Sequence, residues 1–355
     1  MNKMIDTLVE ASRDLLKKLI AIPSYSREEY DTADMLCHFF DSQGVTYERV
    51  GNNVWAYNSF YDSNKPTILL NSHHDTVKPN AGYTRDPFFA SEEDGKLYGL
   101  GSNDAGGCLV CLIAAFLYYH EKADLQYNLC ILASAEEEIS GRNGVEEALK
   151  HIHPIAFAIV GEPTLLNLAI AEKGLMVLDC ESEGVAGHAA REEGENAIYK
   201  ALDAIDWFRS YQFSETSTYL GPVKMSVTMI SAGSQHNVVP ASCKFVVDVR
   251  TTDAYSNEQV LDIIRKHVEV KVEPRSTRLN PSTIALSHPI VQSGIKLGAE
   301  PYGSPTMSDQ ALIPVPSLKV GPGDSARSHA ADEYIYIREI EEGVTFYINM
   351  LKNIL

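Results

Sequence analysis

The sequence predicts an α/β protein: a mixed, largely parallel β-sheet flanked by helices, with an α+β unit inserted into it. Three observations carry that expectation. Short apolar runs suited to buried strands alternate with helical stretches in the first half of the chain. Near residue 175 the rhythm becomes β-α-β-β-α-β, and beyond about residue 286 apolar-strand and helix material returns. At 355 residues the chain is also long for a single hydrophobic core. The expected division is therefore 1–174 with 286–355 as one domain and 175–285 as the other.

The opening "MNKMIDTLVEASRDLLKKLIAI" interleaves Asp6, Glu10, Asp14 and two lysines with apolar positions, which predicts an amphipathic helix over about 4–20. A second helix is expected over about 27–43. "TILLNS", "NLCILASA" and "AFAIVGE" read as buried strands. "DAGGCLVCLIAAFLYYH" and "GRNGVEEALKHI" between them read as helices, so the strands should run parallel. In the inserted part, "LMVLDCESEG", "VKMSVTMISAG", "CKFVVDVRTT" and "VEVKVEP" read as strands. "GENAIYKALDAIDWFRSY" and "SNEQVLDIIRKH" read as helices, completing the ferredoxin-like order. "SLKVGPG" supplies a late strand, and a last helix is expected at about 338–354.

Composition narrows the function classes. With 48 acidic against 30 basic residues the formal charge is −18, a field that disfavours nucleic acid and anionic membrane surfaces as partners. The charged N-terminal helix lacks the uninterrupted apolar core of a signal peptide. No run is expected to reach the roughly 18 to 20 apolar residues of a membrane span. The six cysteines lie mostly in apolar runs, which fits buried, reduced thiols in a cytoplasmic protein. "CLVC" has CxxC spacing without a second pair, so no zinc ribbon is expected.

In open α/β sheets ligands bind at the carboxyl edge of the strands. Each buried run here ends in polar residues with ligand chemistry: "HHD" after "ILLNS", "EEE" after "ILASA", "GEPT" after "AFAIV", and "GDSARSHAADE" after "SLKV". One polar strand exit means little, but four in register point to a site. His73 and Asp75 are two apart and share a face of an extended segment, while His74 points the other way. That suits a metal-ligating imidazole held by a carboxylate behind it; the bland alternative is a structural histidine. Asp104, in "GLGSNDAGG", precedes an apolar helix and reads either as an N-cap or as a ligand reached through permissive glycines. Glu136, Glu137 and Glu138 read as loop charge or as crowded carboxylates around a cation.

Together "NSHHDTV", "SNDAGG", "SAEEEISGRNG", "VGEPT", "GHAAREEGENAI" and "GPGDSARSHAADEY" resemble the M20 metallopeptidase and aminoacylase family, and within it the acetylornithine deacetylase and succinyl-diaminopimelate desuccinylase branch. The resemblance runs from residue 72 to about 334 in the family's order. It implies a zinc-peptidase-like catalytic domain, with the ferredoxin-like insertion as a lid or dimerisation domain. It implies two zinc ions, with cobalt as a substitute: His73 and Glu162 on one, Glu138 and His329 on the other, and Asp104 bridging. Asp75 would orient His73, and Glu137 would be the general base.

The resemblance further implies Arg250 and Asn237 as partners of a substrate α-carboxylate. Ser308 and Asp309 would line the site. His188 would reach from the lid domain of one subunit into the active site of its partner in a homodimer. The implied reaction is hydrolysis of an N-acetyl or N-succinyl amino acid, a small-molecule substrate, with a dipeptide as the rival and a non-catalytic metal-binding scaffold as the alternative class. The chain departs from the family pattern in places. Glu136 stands where Asp is usual, leaving a one-residue ambiguity over base and ligand. Glu162 in place of Asp fits relatives that cleave acyl groups better than aminopeptidases. "GHAAREE" lacks the proline often found nearby.

Overall fold

The computed structural model describes residues 3–152, 154–191 and 193–355. The chain forms two compact units, Met1–Ile170 with Thr283–Tyr302 and Ser308–Leu355, and Ala171–Ser282 with Gly303–Met307.

The sheet of the first unit runs in the order Tyr47–Val50, Asn53–Tyr57, Asn128–Ser134, Thr67–His73, Ile155–Val160, Ser317–Lys319, Leu168–Glu172. The four strands from Asn128–Ser134 to Ser317–Lys319 are parallel, and antiparallel strands border them on both sides. The central strands are apolar throughout because both faces are covered. Ile68 and Leu70 enter the larger core, packed with Leu109, Leu112 and Phe116 of the Gly107–His120 helix and with the Lys3–Ile20 and Ile337–Leu351 helices. Leu69 faces a smaller core with Trp55, Leu132 and Ile152.

Several elements differ from expectation. The stretch Ser102–His120 does reach the length and hydropathy of a membrane span, at a mean hydropathy of 1.2, but 83% of it is buried inside the fold. The helix expected over 141–152 is regular only at Val145–Ala148. Gly141 and Gly144 press against Glu136 and the Ala135 carbonyl, closer than any side chain allows, so the helix starts late. The hairpin Tyr47–Val50 with Asn53–Tyr57 was not expected, because "YERV" is a charged edge strand without an apolar run. A small sheet of Ser91–Glu93, Lys96–Tyr98 and Tyr334–Tyr336 was also not expected.

The second unit has the order Lys224–Ala232, Ser242–Thr251, Gly174–Glu183, Lys271–Pro274, all neighbours antiparallel. With helices Ala197–Ser210 and Asn257–His267 this is the ferredoxin-like β-α-β-β-α-β arrangement. Alternate residues Met176, Leu178 and Cys180 pack with Phe245, Val247 and Val249 into the helices. Ser256 and Gln259 form a capping box that sets the start of the second helix.

Candidate active site

Parallel strands end at one edge, and there the first unit gathers its titratable groups. His73 is the last residue of its strand and only 1% exposed. Its Nδ1 lies 2.9 Å from the Asp75 carbonyl oxygen, an acceptor only, so Nδ1 carries the proton and donates. Nε2 then faces Asp104 Oδ1 at 3.3 Å, and Glu137 Oε2 and Glu162 Oε1 at 3.9 Å each. Burial alone would lower the His73 pKa, but the Glu137, Asp104 and Asp75 carboxylates raise it well above its ordinary value. The field at Nε2 calls for positive charge, from a proton or a metal.

The other half of the cluster is built around His329. Its Nε2 stands 3.1 Å from Glu138 Oε2 and 3.6 Å from Asp104 Oδ2. Asp104 therefore lies between two imidazoles, one oxygen toward each. Burial pushes the Asp104 pKa up, yet the hydrogen bond and charge of His73 hold it below the usual carboxylate range. Donor atoms of His73, Asp104 and Glu138 all lie within 4.8 Å of one another. Nitrogen and carboxylate oxygen at this density suit zinc, so the residues present fit a metal centre.

The three glutamates differ in surroundings. Glu136 takes a left-handed backbone, φ 55°, and its carboxylate accepts from Asn143 Nδ2–H at 3.0 Å. Glu137 and Glu138 open a short helical turn whose N–H groups donate to the two Asp75 oxygens at 3.0 and 3.1 Å. Ser26 O–H donates to the same carboxylate at 2.7 Å. Asp75 thus meets His73 mainly through its carbonyl, its nearer carboxylate oxygen standing 3.5 Å from Nδ1. Burial drives the Glu137 pKa well above its ordinary value; the His73 charge pulls it down, and Glu162, Asp309 and Glu138 raise it further. Glu138 is raised too, first by burial and then, against the pull of His73, by Asp104. His74 faces away, between Thr32 and the Asn52 carbonyl, and burial lowers its pKa to about 4.

Ser308 accepts Gln310 N–H at 3.3 Å at the start of the Asp309–Leu312 turn. Next to it Asp309 accepts from Ser134 O–H at 2.6 Å and Asn71 N–H at 2.9 Å, and burial raises its pKa to about 6. In the second unit His188 and Asn237 come together: Gly187–His188 pairs with Val238–Val239, and Ala189 N–H donates to the Asn237 carbonyl at 3.0 Å. His188 Nδ1 accepts from Ala190 N–H at 3.1 Å, which leaves Nε2–H as a donor on an exposed ring. Arg250 is elsewhere, on the four-stranded sheet, its guanidinium forked onto Asp248 at 2.9 and 3.1 Å.

Sequence reasoning missed Glu333. It is buried, and three backbone N–H groups of the Asp104 loop donate to it. Burial pushes its pKa up to about 8, against the pull of those donors. The only signal was its place in "SHAADEY", four residues after His329.

The family model described as peptidase family M20/M25/M40 matches residues 69–353. Among curated proteins, acetylornithine deacetylase of Proteus mirabilis is 28% identical, covering 96% of this chain and 95% of its own. Succinyl-diaminopimelate desuccinylase of Rickettsia rickettsii is also 28% identical, covering 83% and 85%. Among solved structures, aminopeptidase PepT of Bacillus cereus superposes with a TM-score of 0.76 at 16% identity, covering 98% of each chain. The YXEP protein of Bacillus subtilis, described as a dinuclear metal binding peptidase, gives 0.74 at 15% identity, covering 100% of this chain and 99% of its own. With the match running through both the strand-end cluster and the inserted unit, the chain belongs to peptidase family M20/M25/M40.

Proposed function

We propose that this member of the family is a two-zinc amidohydrolase that removes an N-acetyl or N-succinyl group from an amino acid. N-acetylornithine or N-acetylcitrulline, intermediates of arginine biosynthesis, are the first choice of substrate. The observation that carries the reading is Asp104 between two imidazoles, 3.3 Å from His73 and 3.6 Å from His329, with Glu137 3.9 Å from the same His73 nitrogen. A scaffold that only binds metal has use for the first arrangement and none for the second.

In this reading His73 and Glu162 hold one zinc, Glu138 and His329 the other, and Asp104 bridges. Cobalt can substitute. When bound, the two cations supply positive charge that polarises the scissile carbonyl and acidifies water at the site. Glu137 takes the water's proton and hands it to the leaving amine. Asp75 fixes the His73 tautomer through its carbonyl and the Glu137 backbone through its carboxylate. The free Nε2–H of His188 donates to the oxyanion of the tetrahedral intermediate. Arg250 and Asn237 receive the α-carboxylate, Asn237 being carried with His188 and so coming from the other subunit than Arg250, and Ser308 lines the site.

The assembly in this reading is a homodimer through the ferredoxin-like unit, with His188 delivered to the partner's site. Its edge strand Lys224–Ala232 supports this, presenting Met229 and Ile230 at 64% and 56% exposure. Six buried, unpaired cysteines support a cytoplasmic location. The Rickettsia relative favours a second reading, desuccinylation of succinyl-diaminopimelate. Succinylornithine, succinylcitrulline and dipeptides complete the set. Assaying the zinc-loaded protein against these compounds tests the proposal: cleavage of acyl amino acids above dipeptides supports it, and the reverse order defeats it.

A further inference from the structure

Three backbone N–H groups of the loop that carries Asp104 converge on one side chain. Gly101 N–H donates to Glu333 Oε2 at 3.1 Å, and Asn103 and Asp104 N–H donate to Oε1 at 2.7 and 2.9 Å. Glu333 is 2% exposed, so no solvent replaces it as acceptor. The loop needs one. It enters through Gly101 in the left-handed region, φ 75°, and Asp104 itself is non-helical at φ −118°, ψ 100°. Backbone this irregular has no ladder to satisfy its N–H groups, and buried N–H groups have to be paired. N–H groups turned inward in this way form an anion-binding concavity. Here the chain supplies its own acceptor, the Glu333 carboxyl.

Glu333 also belongs to the segment that carries His329. That segment is fastened independently: Asn80 Nδ2–H donates to the His329 carbonyl at 3.0 Å. Asp332 accepts Thr84 and Arg85 N–H at 2.8 and 2.9 Å. The Glu333 carbonyl accepts Gly99 N–H at 3.0 Å. One five-residue stretch, 329–333, therefore sets His329 directly and the Asp104 backbone at one remove.

We propose that Glu333 is a positioning residue for the metal centre: it holds the Gly101–Asp104 backbone in the conformation that turns one Asp104 oxygen toward His73 and the other toward His329. The inference rests on reading Asp104 as the bridging ligand. It differs from a purely structural role in a measurable way. A residue that only stabilises the fold changes the melting temperature and leaves zinc affinity alone, whereas one that aims a ligand changes the affinity of protein that is fully folded.

The test is a chelator-competition titration of zinc into metal-free wild type, Glu333→Asp and Glu333→Gln, with melting temperatures measured alongside. Glu333→Asp keeps the carboxyl group but withdraws the acceptors by one methylene, and should lose about 10-fold or more in zinc affinity, the scale seen when groups behind metal ligands are altered. Glu333→Gln keeps the length and one oxygen, and should lose less. Falling kcat with unchanged KM should accompany the loss in both. Variants that melt lower but bind zinc as tightly as wild type overturn the proposal. If Glu333→Asp does not fold, Glu333→Gln decides alone, since wild-type zinc affinity in it has the same force. Wild type that binds two zinc ions yet cleaves no acyl amino acid defeats the substrate reading and leaves this one standing.

Discussion

The backbone N–H of Glu137 ends on the carboxylate of Asp75, 3.0 Å away. Glu138 N–H takes the other oxygen at 3.1 Å, so the residue two places after His73 aims both glutamates of the cluster. Asp75→Ala removes the acceptor for both N–H groups and should lower zinc affinity and kcat together, each by about 10 to 100-fold. Zinc titration and steady-state kinetics on the same preparation check this. An Asp75→Ala enzyme with wild-type values would make the link incidental.

Metal content should be close to two zinc or cobalt equivalents per chain, and chelation should abolish hydrolysis. Melting temperature should fall as well, because stripping the cations leaves Asp104, Glu137, Glu138 and Glu162 crowded around His73 and His329. Binding at about 100 times the dissociation constant is worth about 2.7 kcal/mol to the folded state. Calorimetry of metal-free and reloaded protein reads this directly, and full activity after exhaustive chelation would contradict the functional reading.

Neighbouring glutamates should part company on mutation. Glu137→Ala should retain both metals and lose about 10² to 10⁴-fold in kcat. Glu136→Ala should retain most of its kcat and lose stability, about 1 kcal/mol for the hydrogen bond with Asn143. If Glu136→Ala is instead the folded, metal-loaded and inactive protein, base and ligand are shifted by one residue.

Arg250→Ala should raise KM for acyl amino acids far more than for an analogue lacking the α-carboxylate. The fork onto Asp248 adds a control. Asp248→Asn weakens the competing pair and should leave KM equal or lower. Equal effects of Arg250→Ala on both substrates would place this arginine outside recognition.

His188→Ala should be folded and metal-loaded but slowed by roughly 10² to 10³-fold, the scale for loss of one oxyanion donor. Mixing it with Glu137→Ala subunits separates two arrangements. A histidine acting across a dimer restores one working site per mixed dimer. Mixed dimers that form and stay inactive would confine His188 to its own subunit or remove it from the mechanism.

Much of the fold is legible because strands buried on both faces leave unbroken apolar runs, as Thr67–His73 and Asn128–Ser134 do. Tyr47–Val50 is hidden because an edge strand half in solvent needs no such run. Gathering of His73, Asp104, Glu137, Glu138, Glu162 and His329 could be anticipated because parallel strands must end together. Glu333 could not, since its partners are backbone N–H groups that every residue except proline carries. The Asp248 fork on Arg250 is open to the same period-two reasoning that pairs His73 with Asp75, since both lie two apart on one strand.

Ser317–Lys319 lies between Ile155–Val160 and Leu168–Glu172, strands made well over a hundred residues earlier. On the ribosome the sheet therefore waits with a slot open while the whole ferredoxin-like unit is translated. His329 and Glu333 follow the closing strand by ten and fourteen residues. A chain interrupted before Ser317 exposes an unpaired strand edge and lacks His329, so the strand-end cluster is complete only after the closing strand has been made.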